Sequence, residues 1–316
     1  MRILYFTRDH TPHDHRFLAA LAESEHEVFS LRLEQRGSQT ERRPLPSGAR
    51  QISWRGGSKA AQLRDYPGLL TDLKRVLKEI KPDVVHAGSI QTAAFLTALS
   101  GYRPLVSMSW GSDLLMDADR SPWSRWVTVY TLRRSAVMIA DCQTVQRKAE
   151  AFGFPAERVV LFPWGVDLKH FAPGSDSGFR QRLGWQEVFV LLSLRAWEPL
   201  YGVDNLVRAF ARAAVREPCL RLLLLGGGSQ AENIRQIISQ HKLENRVYCG
   251  GQITYQDLPS YYRAADVYIS ASHSDGSSVS LLEALACGLP VIVSDIPSNL
   301  EWIKDGVQGW CFNDGD

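Results

Sequence analysis

Strand-like apolar runs alternate with helix-period segments along almost the whole chain, and no other feature restricts its fold as much. Short apolar runs over 2–7, 27–33, 83–87, 104–109, 137–140 and 159–162 predict strands. Helical periodicity over 16–24, 66–80, 90–100 and 122–134 fills the gaps, with Pro82 as a breaker and Pro122 at a first helical position. The stretch Phe171-Ala172-Pro173-Gly174-Ser175-Asp176-Ser177-Gly178 has no period and reads as an interdomain linker. The alternation then restarts. Strands are expected over 188–194, 220–225, 246–249, 267–270 and 290–294, and helices over 203–215, 231–241, 258–264 and 278–286. Strands joined by helical crossovers of this length imply parallel sheets. The expected class is therefore α/β, with two Rossmann-like doubly wound domains, 1–172 and 173–316, facing across a cleft. Ligands of such sheets bind beyond the carboxyl ends of the strands. Residues 309–312 read as one more strand, and 313–316 as a helix start with no helix after it. The C-terminal helices are expected to be truncated.

Composition excludes several classes. The 316 residues are 45% apolar and 22% charged, as in a soluble globular protein. No run approaches the ~20 apolar residues of a membrane-spanning helix. The N-terminus enters a strand directly, without signal-peptide features. Five scattered cysteines (Cys142, Cys219, Cys249, Cys287, Cys311) suit buried, reduced thiols and a cytoplasmic address. Net charge is only +2 but uneven: residues 1–172 hold 24 Lys+Arg against 18 Asp+Glu. The excess gathers at Arg32, Arg36, Arg42, Arg43, Arg50, Arg55, Lys59 and Arg64, facing Glu34 and Glu41. Such a half suits an anionic partner or peripheral contact with the inner face of a membrane, or is simply a solvated loop.

The chemistry concentrates in 272–290. A strand ends near Ser270, a loop holds Gly276, and a helix opens around Ser277–Ser278, which presents free N–H groups and a helix dipole to an anion. A nucleotide diphosphate is the natural occupant. Asp275 lies just before the helix and Glu283 about two turns into it, placed to address a sugar and a ribose diol. The plainer alternative makes Asp275 a helix cap and Glu283 an exposed helix residue.

This segment resembles the Glu-x7-Glu signature of the retaining glycosyltransferases of family 4, the group 1 transferases of GT-B fold. It runs into Leu282-Glu283-Ala284-Leu285-Ala286-Cys287-Gly288-Leu289-Pro290-Val291, which resembles the family's LEAxAxGxPV. The likeness continues in Lys81-Pro82-Asp83-Val84-Val85-His86, in Pro163-Trp164-Gly165-Val166-Asp167 with Phe171, in Arg195 with Tyr201-Gly202-Val203-Asp204, and in Leu225-Gly226-Gly227-Gly228. It implies a retaining transfer of a sugar from a nucleotide-sugar donor to a glycan, lipid-linked or small-molecule acceptor, without a metal or other cofactor. Carried over by motif, Asp275 and Arg195 are the catalytic candidates, the first against the donor sugar and the second neutralising the diphosphate. Glu283 would hold the ribose. The backbone of Gly276, Ser277, Ser278, Val279 and Ser280 would line the diphosphate, with Tyr201 beside it, and Ile253 would lie at the base-binding edge. Three positions depart from the family's pattern. Asp275 stands for the usual Glu, Tyr201 for a phosphate-binding Lys, and Trp110 for a His before Gly111. These departures keep open a non-catalytic nucleotide-sugar-binding protein; the architecture keeps open another GT-B enzyme such as an epimerase.

Other segments are less directed. His10-Thr11-Pro12-His13-Asp14-His15-Arg16 follows the first strand; His13, Asp14 or Arg16 could bond sugar hydroxyls or a phosphate, and a structural loop or a metal site are the other readings. Asp117-Ala118-Asp119 is too short a match to a metal-binding Asp-x-Asp to carry weight. Trp123, Trp126 and Tyr130 beside Arg125, Arg133 and Arg134 read as a core stripe, or alternatively as a face that rests on an anionic bilayer. No nucleophilic triad, Walker motif or nucleic-acid motif is present.

Overall fold

The chain's computed structural model describes residues 1–35, 41, 43–176 and 178–316 and holds two α/β units, Met1–Pro163 and Trp164–Asp316. In the first, β1 (Arg2–Thr7), β2 (Glu27–Arg32), β3 (Ala49–Gln51), β4 (Val84–Gly88), β5 (Leu105–Met108), β6 (Val137–Ala140) and β7 (Val159–Leu161) form a parallel sheet ordered 3-2-1-4-5-6-7. In the second, β8 (Phe189–Ser193), β9 (Leu220–Leu225), β10 (Val247–Gly251), β11 (Val267–Ser270), β12 (Val291–Ser294) and β13 (Gly309–Phe312) are ordered 10-9-8-11-12-13, again all parallel. Each order reverses once, between β1 and β4 and between β8 and β11, which is the doubly wound pattern.

The unbroken apolar runs follow from covering both faces of each sheet. In β9, Leu223 and Leu225 enter a core with Phe171, Trp185, Tyr262 and Leu281, while Leu222 and Leu224 enter another with Val207, Phe210 and Ile234. The helix Val203–Arg216 buries Val203, Leu206, Val207, Phe210, Ala211 and Ala214, the spacing of one helical stripe.

Several expectations are corrected. The helix expected over 16–24 runs Pro12–Ala22. Thr11 caps it, Pro12 occupies its first turn, and Asp14 closes a capping box. Most of the supposed loop at 10–16 is therefore helix. The three-residue β3 escaped notice because so short an edge strand shows no alternation. The stretch read as a linker begins docked: Phe171 is fully buried, and Arg263 donates to the Ala172 and His170 carbonyls at 2.9 and 3.3 Å. Residues 164–172 thus go with the second unit. Cys142 and Cys287 are buried free thiols, but Cys219 and Cys249 are exposed. Nor are Trp123 and Trp126 core residues; they are 54% and 48% exposed. Their helix, Pro122–Arg134, buries Val127, Thr128, Thr131 and Leu132 instead. Arg36 and Arg42 of the basic stretch, and Ser177, lie outside the described residues. Among the described residues, no helix is long and apolar enough to cross a membrane.

His86 on β4 is packed between Tyr5 and Phe17, with ring centroids 5.1 and 6.0 Å away, and its Nε2 is buried without a hydrogen-bond partner among the described residues. Burial lowers its pKa from 6.5 to about 4. Because the folded value lies below the unfolded one, its contribution is complete above about pH 6.5 and is lost as pH falls toward 4. The full difference is about 3 kcal/mol. Urea unfolding at pH 7 and pH 4.5 should show a stability loss in the wild type that is about 2–3 kcal/mol smaller in His86→Gln. Equal losses in the two proteins would refute the assignment.

Candidate functional site

In a parallel sheet all strands leave by the same edge, so the loops after β8 and β11 emerge side by side where the strand order reverses. Arg195 is two residues beyond β8, and Asp275 is in the loop after β11. They meet there: Arg195 Nη2 and Asp275 Oδ2 are 2.6 Å apart, with side chains only 11% and 18% exposed. Arg195 Nη1 donates to Ser278 Oγ at 2.8 Å and to Ser280 Oγ at 3.2 Å. The guanidinium carbon of Arg195 lies over the Tyr201 ring, 4.2 Å from its centroid. The Nε of Arg195 is buried and has no hydrogen-bond partner among the described residues.

Burial raises the Asp275 carboxyl above its ordinary value, and the Arg195 charge pulls it part of the way back. Burial alone would lower Arg195; the Asp275 charge reverses this and raises it. Asp275 Oδ1 also accepts from the Gly276 N–H at 3.0 Å, but Asp275 is not the helix cap. Ser278 holds that position, in extended conformation, with no side-chain cap bond on the helix Val279–Ala286. The first-turn N–H groups of such a helix lack intrahelical acceptors. Ser277 is turned to the interior, where its Oγ accepts from Trp302 Nε1 at 3.2 Å.

Glu283 proves to be about one turn into the helix, not two, and it is 6% exposed, so it is no surface residue. The fully buried Tyr262 donates to Glu283 Oε2 at 2.8 Å. Burial, and then the Glu283 charge, raise the pKa of that phenol well above its ordinary value. Tyr268, also buried, shares a 2.8 Å hydrogen bond with Ser280 Oγ. Tyr262 thus supports Glu283 and Tyr268 supports Ser280, an acceptor of Arg195; neither tyrosine was evident from sequence. Their partners lie 12 to 21 residues away, and only the fold joins them.

Close backbone approaches hold the frame. Gly202 has φ 56°, and a Cβ there would stand 2.2 Å from the Ala271 carbonyl oxygen. Gly226, at φ 101°, would place a Cβ 2.8 Å from the Arg195 carbonyl oxygen. Glycine is required at both turns, which explains Gly202 after Tyr201 and Gly226 at the start of the Gly226-Gly227-Gly228 run; Gly228 is also crowded, its Cβ position 2.6 Å from the Trp197 carbonyl oxygen. Ile253 lies partly buried after β10, against the core containing Phe171.

In the first unit, Asp14 is not exposed to a ligand. It is 1% exposed and accepts from Tyr5 OH at 2.8 Å, Thr11 Oγ1 at 2.5 Å and Thr11 N–H at 2.9 Å. His13 and Trp110 remain half-buried near each other, ring centroids 5.8 Å apart, and Arg16 lies 3.4 Å from His13 Nδ1. Asp119 is ion-paired to Arg125 and Lys148. Among the described residues no three His, Cys, Asp or Glu side chains are grouped to hold a metal.

Comparison with known proteins agrees with this architecture. The family described as "Glycosyltransferase Family 4" matches residues 13–170, and "Glycosyl transferases group 1" matches 177–316. A GDP-mannose-dependent alpha-(1-6)-phosphatidylinositol monomannoside mannosyltransferase of Mycolicibacterium smegmatis is 28% identical over 79% of this chain and 68% of its own length. Mannosylfructose-phosphate synthase of Agrobacterium fabrum is 33% identical over 51% of this chain and 38% of its own length. The chain thus spans about two thirds of the first relative and under two fifths of the second. Among solved structures, HepE of Anabaena in complex with UDP-glucose aligns with all of this chain and 86% of its own, with a TM-score of 0.80 and 22% identity. Sucrose-phosphate synthase from Thermosynechococcus elongatus aligns with all of it and with 87% of its own chain, with a TM-score of 0.80 and 19% identity. At these identities the solved structures speak to the fold, two parallel-sheet α/β domains of GT-B type. With both units matched along almost their whole length, the chain belongs to the group 1, family 4 glycosyltransferases.

Proposed function

We propose that the chain moves a glycosyl group from a nucleotide-sugar donor to the hydroxyl of a glycan, lipid-linked or small-molecule acceptor, with retention of anomeric configuration. The observation that carries this reading is the Arg195 guanidinium, held by Asp275, Ser278 and Ser280 at the mouth of the Val279–Ala286 helix with its Nε unpartnered. A buried donor without an acceptor beside a helix N-terminus suits an anion. A donor diphosphate supplies one, and its charge grows as the glycosidic bond breaks.

In this mechanism the departing diphosphate oxygen assists the incoming hydroxyl on the same face of the sugar. The C–O bond to the leaving group breaks as the acceptor C–O bond forms, and the hydroxyl proton passes to the diphosphate. Arg195 and the helix N–H groups stabilise the separating charge, so no divalent metal is required. Asp275 orients Arg195 and lies against the donor sugar. Glu283, set by Tyr262, holds the donor ribose; Ile253 borders the base. The neutral Tyr201 does not replace the phosphate-binding lysine in charge and instead braces Arg195. A cytoplasmic setting, where nucleotide sugars are made, fits the free thiols. HepE of Anabaena is solved in complex with UDP and with UDP-glucose, which supports a nucleotide-sugar donor here.

The reading is tested by turnover of a nucleotide-sugar panel with and without chelator. Arg195→Ala should lower turnover by about 10²–10³-fold. Tyr201→Ala should cost roughly 3–30-fold through the lost cation–π contact, and Tyr201→Phe should stay near wild type. Near-normal transfer by Arg195→Ala, or loss of transfer with chelator, would sink it. Glu283→Ala carries two expected outcomes. It should weaken donor binding in a titration, and it should destabilise the protein by about 1–2 kcal/mol, because the Tyr262 hydroxyl loses the closer of its two acceptors and keeps only the Ser280 carbonyl at 3.2 Å. The paired variant Tyr262→Phe/Glu283→Ala should regain part of the stability but none of the donor affinity; unchanged donor binding in both would exclude the ribose role.

A further inference from the structure

The Pro122–Arg134 helix has a finished inner face and an unfinished outer one. Inside, Val127, Thr128, Thr131 and Leu132 are buried, and the two threonine hydroxyls donate to carbonyls one turn earlier, both at 2.8 Å. Outside, Trp123 and Trp126 stack with centroids 5.0 Å apart, and Trp126 meets Tyr130 at 5.2 Å. The three rings fall at i, i+3 and i+7 and so form one stripe. Phe95 lies edge-on beneath all three, at 6.4, 6.0 and 5.8 Å. This is a rigid aromatic platform, and its two indoles remain 54% and 48% exposed. Neither indole N–H has a partner among the described residues. The cations continue the stripe. Residues 120–134 carry Arg120, Arg125, Arg133 and Arg134 and no acidic residue. Arg125 pairs with Asp119, and Arg134 lies over Tyr130 at 3.7 Å. Arg120, Arg133 and Arg134 form no ion pair among the described residues.

We propose that this face docks on the surface of an anionic phospholipid bilayer, with the helix in the interfacial plane and the two indoles at headgroup depth. Tryptophan combines an apolar body with one N–H donor, which suits the boundary between acyl chains and headgroups. Arginines at the same level meet the negative surface potential of anionic lipid. A second copy of the chain is a poorer occupant for two reasons. Two half-exposed indoles offer on the order of 200 Å², whereas a stable protein interface needs about 800 Å² from each partner. A twofold contact through this stripe would also set arginines against arginines. The inference is independent of the reaction proposed above.

The full chain should co-sediment with phosphatidylglycerol-containing vesicles at low salt and much less with pure phosphatidylcholine vesicles. Trp123→Ser/Trp126→Ser should lower the partition coefficient by about tenfold or more. Arg133→Gln/Arg134→Gln should lower it by about tenfold and flatten its salt dependence. Lys74→Gln/Lys78→Gln, which removes the same charge from the exposed side of the Tyr66–Ile80 helix, should leave binding within about twofold of wild type. Thermal unfolding of each variant confirms folding. Absence of wild-type binding, equal loss in the lysine variant, or full binding by the tryptophan variant would overturn the proposal. So would a lipid-free dimer, seen by sedimentation velocity, that the tryptophan substitutions dissolve.

Discussion

A guanidinium that is largely removed from water needs an opposite charge and acceptors for its N–H groups, and the second unit is arranged to supply both to Arg195. The charge comes from Asp275 and the acceptors from Ser278 and Ser280, all carried on the segment that follows β11. This requires β8 and β11 to be neighbours and parallel. The register Val267↔Leu191 and Tyr268↔Leu192 makes them so. Breaking such a pair by removing one partner leaves the other buried and uncompensated, which is more costly than never forming it. The pair therefore fixes the course of both loops, and the helix mouth at Ser278 takes its place from them.

Much of this frame was legible in the sequence. The alternation of apolar runs and helical stripes carried the number of domains and the parallel sheets, because strands covered on both faces cannot hide their composition. Motif order brought Arg195, Asp275 and Glu283 to one sheet edge before any coordinates. Depth was not legible. Helical spacing says which residues share a face but not whether that face is covered. Glu283 was accordingly open to being exposed when it is buried, and Trp123 and Trp126 were read as core when they are not. Side-chain partners across elements were equally hidden, Tyr262 beneath Glu283 above all.

One miss had a readable signal. Thr11-Pro12-His13-Asp14 contains a cap residue, a proline at the first helical position and an acid at the third. That pattern opens a helix. Asp14, a candidate contact residue by sequence, is the internal brace of that turn. A carboxylate satisfied by Tyr5 and Thr11 has little capacity left for a ligand.

Tyr201 draws these points together. A lysine in its place would set a second positive charge beside Arg195 on a half-buried turn, where Gly202 allows no room to shift. The aromatic ring instead accepts the guanidinium face and adds no charge. With Asp275 neutralising Arg195, the protein side of the site is close to electrically balanced. Under the proposed reading, an entering diphosphate must then be met by the unpartnered Arg195 Nε and by backbone N–H dipoles instead of a surplus of cations. Dipoles fixed by the fold need no reorganisation as charge develops. The exchange of lysine for tyrosine therefore shifts the burden of binding from net charge to orientation, and the precision of the Arg195 cradle becomes the property on which such chemistry depends.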